Sequence, residues 1–132
     1  MRQGGPMPDV VAFDDEFEIL EALRDFLGGT GVSLQMELVE GSLSRERSLA
    51  TLQAAQPKVV VTDWVGIGEA VLEAVELLDT RPKVMVFSSR LDLARESPRA
   101  GFVVAFVEKP PENWGSFAQQ VVSLATAPEG SP

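Results

Sequence analysis

The stretch Val59-Val60-Val61-Thr62-Asp63 decides the fold, because four β-branched residues in a row end in a single acidic residue. A short apolar run of this kind is typical of a strand that is buried on both faces of a parallel sheet. Two similar runs occur, Val10–Phe13 before it and Val84–Phe87 after it. The sequence therefore predicts a sheet whose central strands are covered on both sides.

Two more strands and five helical stretches complete an alternation of strand, turn and helix. Leu34–Val39 alternates apolar and polar residues, which predicts a half-exposed edge strand, and Phe102–Val107 is the fifth strand. Such alternation favours an α/β fold with a doubly wound parallel sheet in three α/β/α layers. Pro98 makes the fourth helix weak or partly 3₁₀. The five helices are predicted from apolar residues three and four apart, over Glu16–Leu27, Leu43–Ala55, Gly68–Asp79, Leu91–Arg99 and Trp114–Leu124.

Length and composition are those of one ordinary globular domain. The chain has 132 residues, of which 45% are hydrophobic and 23% are charged, and this is enough for a single core. We expect one domain over residues 9–125, with flexible tails at residues 1–8 and 126–132 that are rich in Pro, Gly and Ser. No apolar run approaches the roughly 20 residues that a membrane span needs, so membrane insertion is not expected.

Missing residue types and net charge exclude several classes of function. The chain has no cysteine and no histidine, which excludes disulfides, thiol catalysis and histidine-based acid–base chemistry, and the expected location is cytoplasmic. The net charge is −9, with 20 acidic residues against 11 basic ones. Because nucleic-acid binding depends on cationic groups, direct binding of DNA or RNA is not expected.

Polar residues follow four of the predicted strands, at the point where each strand ends. Asp14 and Asp15 follow the first strand, Asp63 the third, Ser88 the fourth and Lys109 the fifth. In open α/β sheets, ligands bind outside the carboxyl ends of the strands. Clustered carboxylates repel one another unless a cation neutralises them, and Mg²⁺ prefers carboxylates, waters and phosphate oxygens. The set predicts phosphoryl transfer to an aspartate, with the metal, lysine and hydroxyl stabilising the transferred charge.

Each of these residues has a simpler interpretation when it is considered alone. The aspartates favour helix N-termini and could act as caps. Ser88 and the Lys109-Pro110 pair could be ordinary turn residues. The joint pattern favours chemistry, because each residue type lies at the same end of its own strand.

At these residues the sequence resembles the receiver domain of two-component response regulators, over roughly residues 9–125. The resemblance implies a CheY-like sheet of strand order 2-1-3-4-5. It also implies a stand-alone phosphoprotein that is a self-phosphorylating acceptor with autophosphatase activity, and not a turnover enzyme. The segments that carry the resemblance are Val10-Val11-Ala12-Phe13-Asp14-Asp15, Val59-Val60-Val61-Thr62-Asp63-Trp64, Val84-Met85-Val86-Phe87-Ser88-Ser89 and Phe106-Val107-Glu108-Lys109-Pro110.

By this resemblance Asp63 is the phosphoacceptor, which forms an aspartyl phosphate and also binds Mg²⁺. Asp15 is a direct ligand of the Mg²⁺ ion, Asp14 supports it through water, and the backbone carbonyl of Val65 is a further ligand. The implied phosphodonor is a sensor histidine kinase or a histidine phosphotransfer protein. Further implied partners are a downstream protein that the sequence does not name and a second copy of the chain.

The resemblance also assigns residues that sense the phosphoryl group or set its lifetime. Ser88 and Lys109 bind the phosphate and act as the switch, together with the aromatic Phe106. The Lys109–Pro110 peptide bond is expected to be cis. Val65 and Arg90 match positions that influence attack by water, which leads to the hypothesis of slow self-dephosphorylation.

The sequence departs from the receiver pattern in three internal places. The usual Met-Pro-x-Met-Asp-Gly stretch is replaced by Val65–Gly68. The segment Ser89–Ala100 is short, which puts the fourth helix in doubt, and one extra residue stands between Gly101 and Lys109. These departures support a second interpretation, a receiver-like interaction module whose binding does not depend on phosphorylation.

A nucleotide-binding protein and a phosphatase fit the sequence less well. Gly66–Val71 follows a strand like a dinucleotide-binding fingerprint, but it lacks the third glycine and follows the wrong strand. A phosphatase of the haloacid dehalogenase type would need a second aspartate at the position of Val65.

Overall fold

The computed structural model describes residues 7–127, in which strands and helices alternate along the chain. A 3₁₀ turn at Ala100–Phe102 precedes the last strand. The strands are β1 (Val10–Asp14), β2 (Leu34–Leu38), β3 (Val59–Thr62), β4 (Lys83–Ser88) and β5 (Val103–Glu108). The α-helices are α1 (Phe17–Leu27), α2 (Arg45–Ala55), α3 (Gly68–Glu76), α4 (Leu91–Arg95) and α5 (Trp114–Thr126).

All five strands are parallel and lie in the order β2-β1-β3-β4-β5, which confirms the predicted sheet. In register, Val10 of β1 lies between Leu34 of β2 and Val59 of β3. The backbone N–H of Asp63 donates to the carbonyl oxygen of Phe13 at 3.0 Å. The carboxyl ends of β1 and β3 are therefore neighbours, as the site requires.

The core has two parts, one on each face of the sheet. On one face α1 and α5 cover the sheet, with Leu20, Leu23 and Phe117 in the packed layer. On the other face α2, α3 and α4 pack on it, with Leu52 and Val71 in the packed layer. Burying each large apolar side chain stabilises the fold by roughly 1.5–3 kcal/mol, so the buried central strands fix the sheet.

All five helices differ from their expected bounds by one to four residues; α2 begins at Arg45 instead of Leu43, and α5 ends at Thr126 instead of Leu124. The first residue of α1, Phe17, is 46% exposed, and the buried stripe begins one turn later at Leu20. The third helix ends at Glu76 instead of Asp79. The fourth has only five residues, because the chain turns after Arg95 towards Pro98, whose ring does not fit a helix interior.

The edge strand β5 contains a bulge. Val84 pairs with Val103 and Met85 pairs with Ala105, so the register skips Val104, whose side chain is 54% exposed. A bulge inserts one residue into a strand without shifting the rest of the pairing. It accommodates the extra residue that the sequence shows between Gly101 and Lys109.

The expected tails fall mostly outside the described residues, since only residues 7, 8, 126 and 127 of them are included. Helix α5 includes Thr126. Among residues 7–127, no helix combines the length and the apolar character that crossing a membrane requires.

Candidate functional site

Two aspartates lie side by side at the carboxyl edge of the sheet. Asp14 is the last residue of β1 and is only 2% exposed, while Asp63 directly follows β3 and is partly exposed. Placing a carboxylate this deeply is unfavourable unless a positive charge or hydrogen bonds compensate. The neighbouring strands supply both.

Lys109 provides the positive charge from the end of β5. Its ammonium Nζ lies 3.1 and 3.2 Å from the two carboxylate oxygens of Asp14 and 3.0 Å from Oδ2 of Asp63. The backbone N–H of Lys109 donates to the carbonyl oxygen of Ser88 at 3.1 Å, which anchors the lysine beside β4. One buried cation therefore neutralises two carboxylates from different strands.

The pKa values of Asp14 and Lys109 reflect the cost of burying their charges. Burial raises the pKa of Asp14 to about 6, although the N–H of Glu16 and the charge of Lys109 oppose the rise. For Lys109, burial alone lowers the pKa, but Asp14 and Asp63 outweigh it and the pKa is raised overall. The ammonium therefore stays charged at neutral pH.

An acidic cluster extends from Asp14 towards solvent. Carboxylate oxygens of Asp14, Asp15 and Glu16 all lie within 4.8 Å of one another. The N–H of Glu16 donates to Oδ1 of Asp14 at 2.9 Å, and its Oε1 lies 3.8 Å from the ammonium of Lys109. Oxygen donors at this spacing fit a hard divalent cation. Glu16 was not predicted as a site residue, although it follows the aspartate pair directly.

The backbone fixes the orientation of the Asp63 side chain. Its Oδ1 accepts a hydrogen bond of 2.7 Å from the N–H of Trp64, and its Oδ2 faces Lys109. The hydroxyl of Thr62 donates to the carbonyl oxygen of Asp63 at 2.8 Å. The carboxylate therefore presents one defined oxygen to the pocket.

The sequence matches no protein-family model and no curated protein, but the fold matches many solved structures. The signal receiver domain of a LuxO repressor protein from Vibrio parahaemolyticus is 18% identical, with 91% of each chain covered and a TM-score of 0.71. A response regulator receiver protein from Burkholderia phymatum is 24% identical over 89% of this chain and 94% of its own, with a TM-score of 0.64. The chemotaxis response regulator CheY4 of Vibrio cholerae is 19% identical over 88% and 99%, with a TM-score of 0.66.

The chain has the receiver-domain fold. All three identities are below 25%, so the likeness concerns the arrangement of the backbone. The resemblance inferred from the sequence is confirmed at that level.

In this receiver fold, Ser88 reaches the same edge of the sheet but does not contact the charged groups. It is the buried last residue of β4, and its Oγ accepts a 3.0 Å hydrogen bond from the N–H of Arg90. Within the described chain no hydrogen bond joins its hydroxyl to Lys109 or Asp63. Side-chain contacts therefore join Asp14, Asp63 and Lys109, whereas the hydroxyl of Ser88 lies at the same edge and accepts from the N–H of Arg90 instead.

The other predicted positions of the receiver domain lie around this centre. The Val65 side chain is 58% exposed. The guanidinium of Arg90 makes two hydrogen bonds to Asp92, at 3.0 and 3.1 Å, and is thereby held on α4. Phe106 is half-buried, with the guanidinium carbon of Arg95 5.0 Å above its ring. The Lys109–Pro110 peptide bond is cis.

The loop after Asp63 is built around two glycines and an indole. Gly66 has a φ of +76°, which glycine adopts at no steric cost, and its carbonyl accepts from the N–H of Leu43 at 2.9 Å. A Cβ at Gly68 would lie 2.1 Å from Cε3 of Trp64. The ring therefore packs directly on the first residue of α3. Sequence reasoning considered both glycines as part of a dinucleotide-binding fingerprint and missed this contact.

Proposed function

We propose that this receiver domain accepts a phosphoryl group on Asp63 with the help of Mg²⁺ and signals through protein contacts. The observation that carries the proposal is the position of the Lys109 ammonium, between Oδ2 of Asp63 and the buried carboxylate of Asp14. A cation held against two carboxylates at a partly open strand end is suited to binding the oxygens of a transferred phosphoryl group. The donor is a phosphohistidine on a sensor histidine kinase or phosphotransfer protein, and the proposed location is the cytoplasm.

The transfer is a nucleophilic displacement at phosphorus. Oδ2 of Asp63 attacks the phosphorus atom and a P–O bond forms as the P–N bond of the phosphohistidine breaks. The electron pair stays on the imidazole nitrogen, which takes a proton from water. The product is an acyl phosphate. Trp64 holds Oδ1 during the attack, and the ammonium of Lys109 moves from carboxylate to phosphoryl oxygens.

The residues present fit a magnesium ion at this edge. Asp14 and Asp15 would hold it, with Glu16 as a further carboxylate in the same cluster, and the resemblance adds Asp63 and the backbone carbonyl of Val65 as ligands. When bound, the ion neutralises the carboxylates and the incoming phosphoryl oxygens.

Intact-mass spectrometry after incubation with Mg²⁺ and acetyl phosphate tests the proposal. We expect a single phosphoryl adduct in the wild type and none in Asp63→Asn. Asp79→Asn is the matched control, because Asp79 is exposed in the turn after α3, and it should be phosphorylated normally. An adduct that persists in Asp63→Asn would disprove Asp63 as the acceptor.

The second candidate function is an interaction module whose binding is independent of phosphorylation. The loop Val65–Gly68 without the usual motif and the five-residue α4 favour it. In the same experiment, bound metal without any adduct would support this candidate. Rapid consumption of acetyl phosphate without accumulation of the adduct would instead indicate a phosphatase.

A further inference from the structure

A cleft of about 670 Å³ opens beside the loop that follows Asp63. Its lining comes from the loop Trp64–Ile67, from the first turns of α3 and from residues of the segment 93–98. The cleft begins at the residue next to the proposed phosphoacceptor. Its apolar lining residues include Leu43, Trp64, Val65, Ile67, Leu93 and Pro98.

Two features border the cleft, the short helix α4 and the indole of Trp64, which packs against Gly68. Helix α4 ends at Arg95, so no further helical turn stands opposite the loop. Trp64 packs on Gly68 and is only 9% exposed, so it contributes a small part of the cleft lining. Val65 and Leu93, which are 58% and 37% exposed, both line the cleft. Two exposed apolar side chains facing one cleft favour contact with an apolar group.

The rim of the cleft carries an excess of negative charge. Glu69, Glu73 and Glu96 line it. Arg99 lies 3.1 Å from Glu69, 3.9 Å from Glu73 and 3.1 Å from Glu76, so one guanidinium is shared by three carboxylates. Arg99 itself is not a lining residue, and the cation among the lining residues, Arg45, is paired with Glu46 at 3.1 Å.

We propose that this cleft docks a short segment of a partner protein that combines an apolar side chain with flanking Lys or Arg. The apolar side chain would rest on Trp64 between Val65 and Leu93, and the cation would bind Glu73 and Glu96. Complementary charge selects this occupant. Nucleic acid and anionic membranes carry the charge that this rim repels, and a second copy of the chain carries a net charge of −9.

Docking here goes beyond phosphoryl transfer, since neither Mg²⁺ nor a phosphoryl group contributes to the cleft. The test selects displayed random dodecapeptides on the immobilised full-length protein in EDTA. Enriched peptides should pair Leu, Ile, Phe or Trp with Lys or Arg. A synthetic peptide of the enriched sequence should change the fluorescence of Trp64 when Trp114 is replaced by Phe.

Two variants locate the binding site of the enriched peptide. Val65→Glu and Glu73→Lys should each weaken its binding by about tenfold or more, because they change the apolar wall and the charge of the rim. Val104→Glu is the matched control, since Val104 is as exposed as Val65 but lies on β5, outside the cleft. Its binding should equal that of the wild type. Far-UV circular dichroism verifies that all three variants fold.

Several outcomes would overturn the proposal. These are no enrichment, enrichment of acidic peptides, equal weakening by Val104→Glu, or concentration-dependent self-association that Val65→Glu abolishes. Asp63→Asn should bind the peptide as the wild type does. Failure of phosphorylation would thus leave this result intact, and loss of peptide binding would leave the phosphorylation result intact.

Discussion

Asp14 is buried at the end of β1, where its carboxylate depends on Lys109 for compensation. Burial raises its pKa from 3.8 to about 6, so folding favours its protonated form. The stability that this provides is fully present below about pH 4 and is lost as the pH rises through about 6. At about 1.4 kcal/mol per pKa unit, this amounts to roughly 3 kcal/mol.

We therefore expect Asp14→Asn to remove one component of the pH dependence. Urea unfolding in EDTA at several pH values would measure the free energy of unfolding of both proteins. Between about pH 4 and about pH 6, the wild type should lose stability relative to the variant, in line with the raised pKa. Parallel curves for the two proteins would contradict the raised pKa.

Two serines on one helix should respond oppositely to replacement by alanine. The hydroxyl of Ser48 is fully buried and has no hydrogen-bond partner among residues 7–127. Ser44 caps α2 by accepting a 3.1 Å hydrogen bond from the N–H of Arg47. Ser48→Ala should be neutral or stabilising by up to about 1 kcal/mol, whereas Ser44→Ala should cost about 1 kcal/mol. Urea denaturation measures both, and a large loss in Ser48→Ala would reveal a partner for its hydroxyl.

At the scale of the elements, the contact between α3 and the preceding loop depends on a missing side chain. Since a Cβ at Gly68 would overlap the ring of Trp64, Gly68→Ala must displace the indole or the helix. We expect a loss of about 1–3 kcal/mol and a shifted emission of Trp64, measured in a Trp114→Phe background.

Gly101→Ala is the control for this substitution. A Cβ at Gly101 meets no atom within 4 Å, and its φ is not in the left-handed region. It should leave both stability and emission nearly unchanged. Equal losses in the two substitutions would contradict the packing of the indole as their cause, because the entropic effect of Gly→Ala on the unfolded chain is stabilising.

Sequence reasoning located the strands well and the segments after α3 less well. Each buried apolar run lies within one residue of its observed strand, because burial on both faces leaves a continuous apolar signal. Pro98 correctly predicted a weak fourth helix, whereas nothing in the local sequence marked the end of α3 at Glu76. Arg99 binds Glu69 and Glu76 across the gap, and such pairing leaves no periodic pattern in the sequence.

For the site, the residues at the strand ends were predictable from the sequence, but the contacts of their side chains were not. The order of strands brings Asp14, Asp63 and Lys109 to one edge, and each follows its own strand in the sequence. The packing of Trp64 on Gly68 was not predictable, because it depends on the direction in which the indole points. The position of Ser88 without a bond to Lys109 likewise depends on side-chain geometry.

The whole molecule has a net charge of −9. Any cation can therefore stabilise it by screening, and specific binding of Mg²⁺ must be distinguished from this general effect. Any salt screens the repulsion among carboxylates, but only a bound ion stabilises the folded state through mass action. Millimolar MgCl₂ should therefore raise the melting temperature more than NaCl of equal ionic strength does. This excess should disappear in Asp15→Asn, whose side chain is exposed beside Asp14.

Differential scanning fluorimetry across a series of concentrations measures this effect. Glu18→Gln serves as the control, because Glu18 lies on α1 and is exposed. It should retain the full excess stabilisation. Equal stabilisation by both salts in the wild type would contradict a specific magnesium site.

The bulge at Val104 affects whether two molecules can associate through the edges of their sheets at high concentration. An exposed edge strand is a template on which another chain can add a strand, and uninterrupted apolar edges promote aggregation. Strand β5 is apolar from Val103 to Val107, but its pairing register breaks at Val104. A strand added along its outer side would lose its hydrogen-bond ladder there. The bulge therefore disfavours the addition of a sixth strand beside β5.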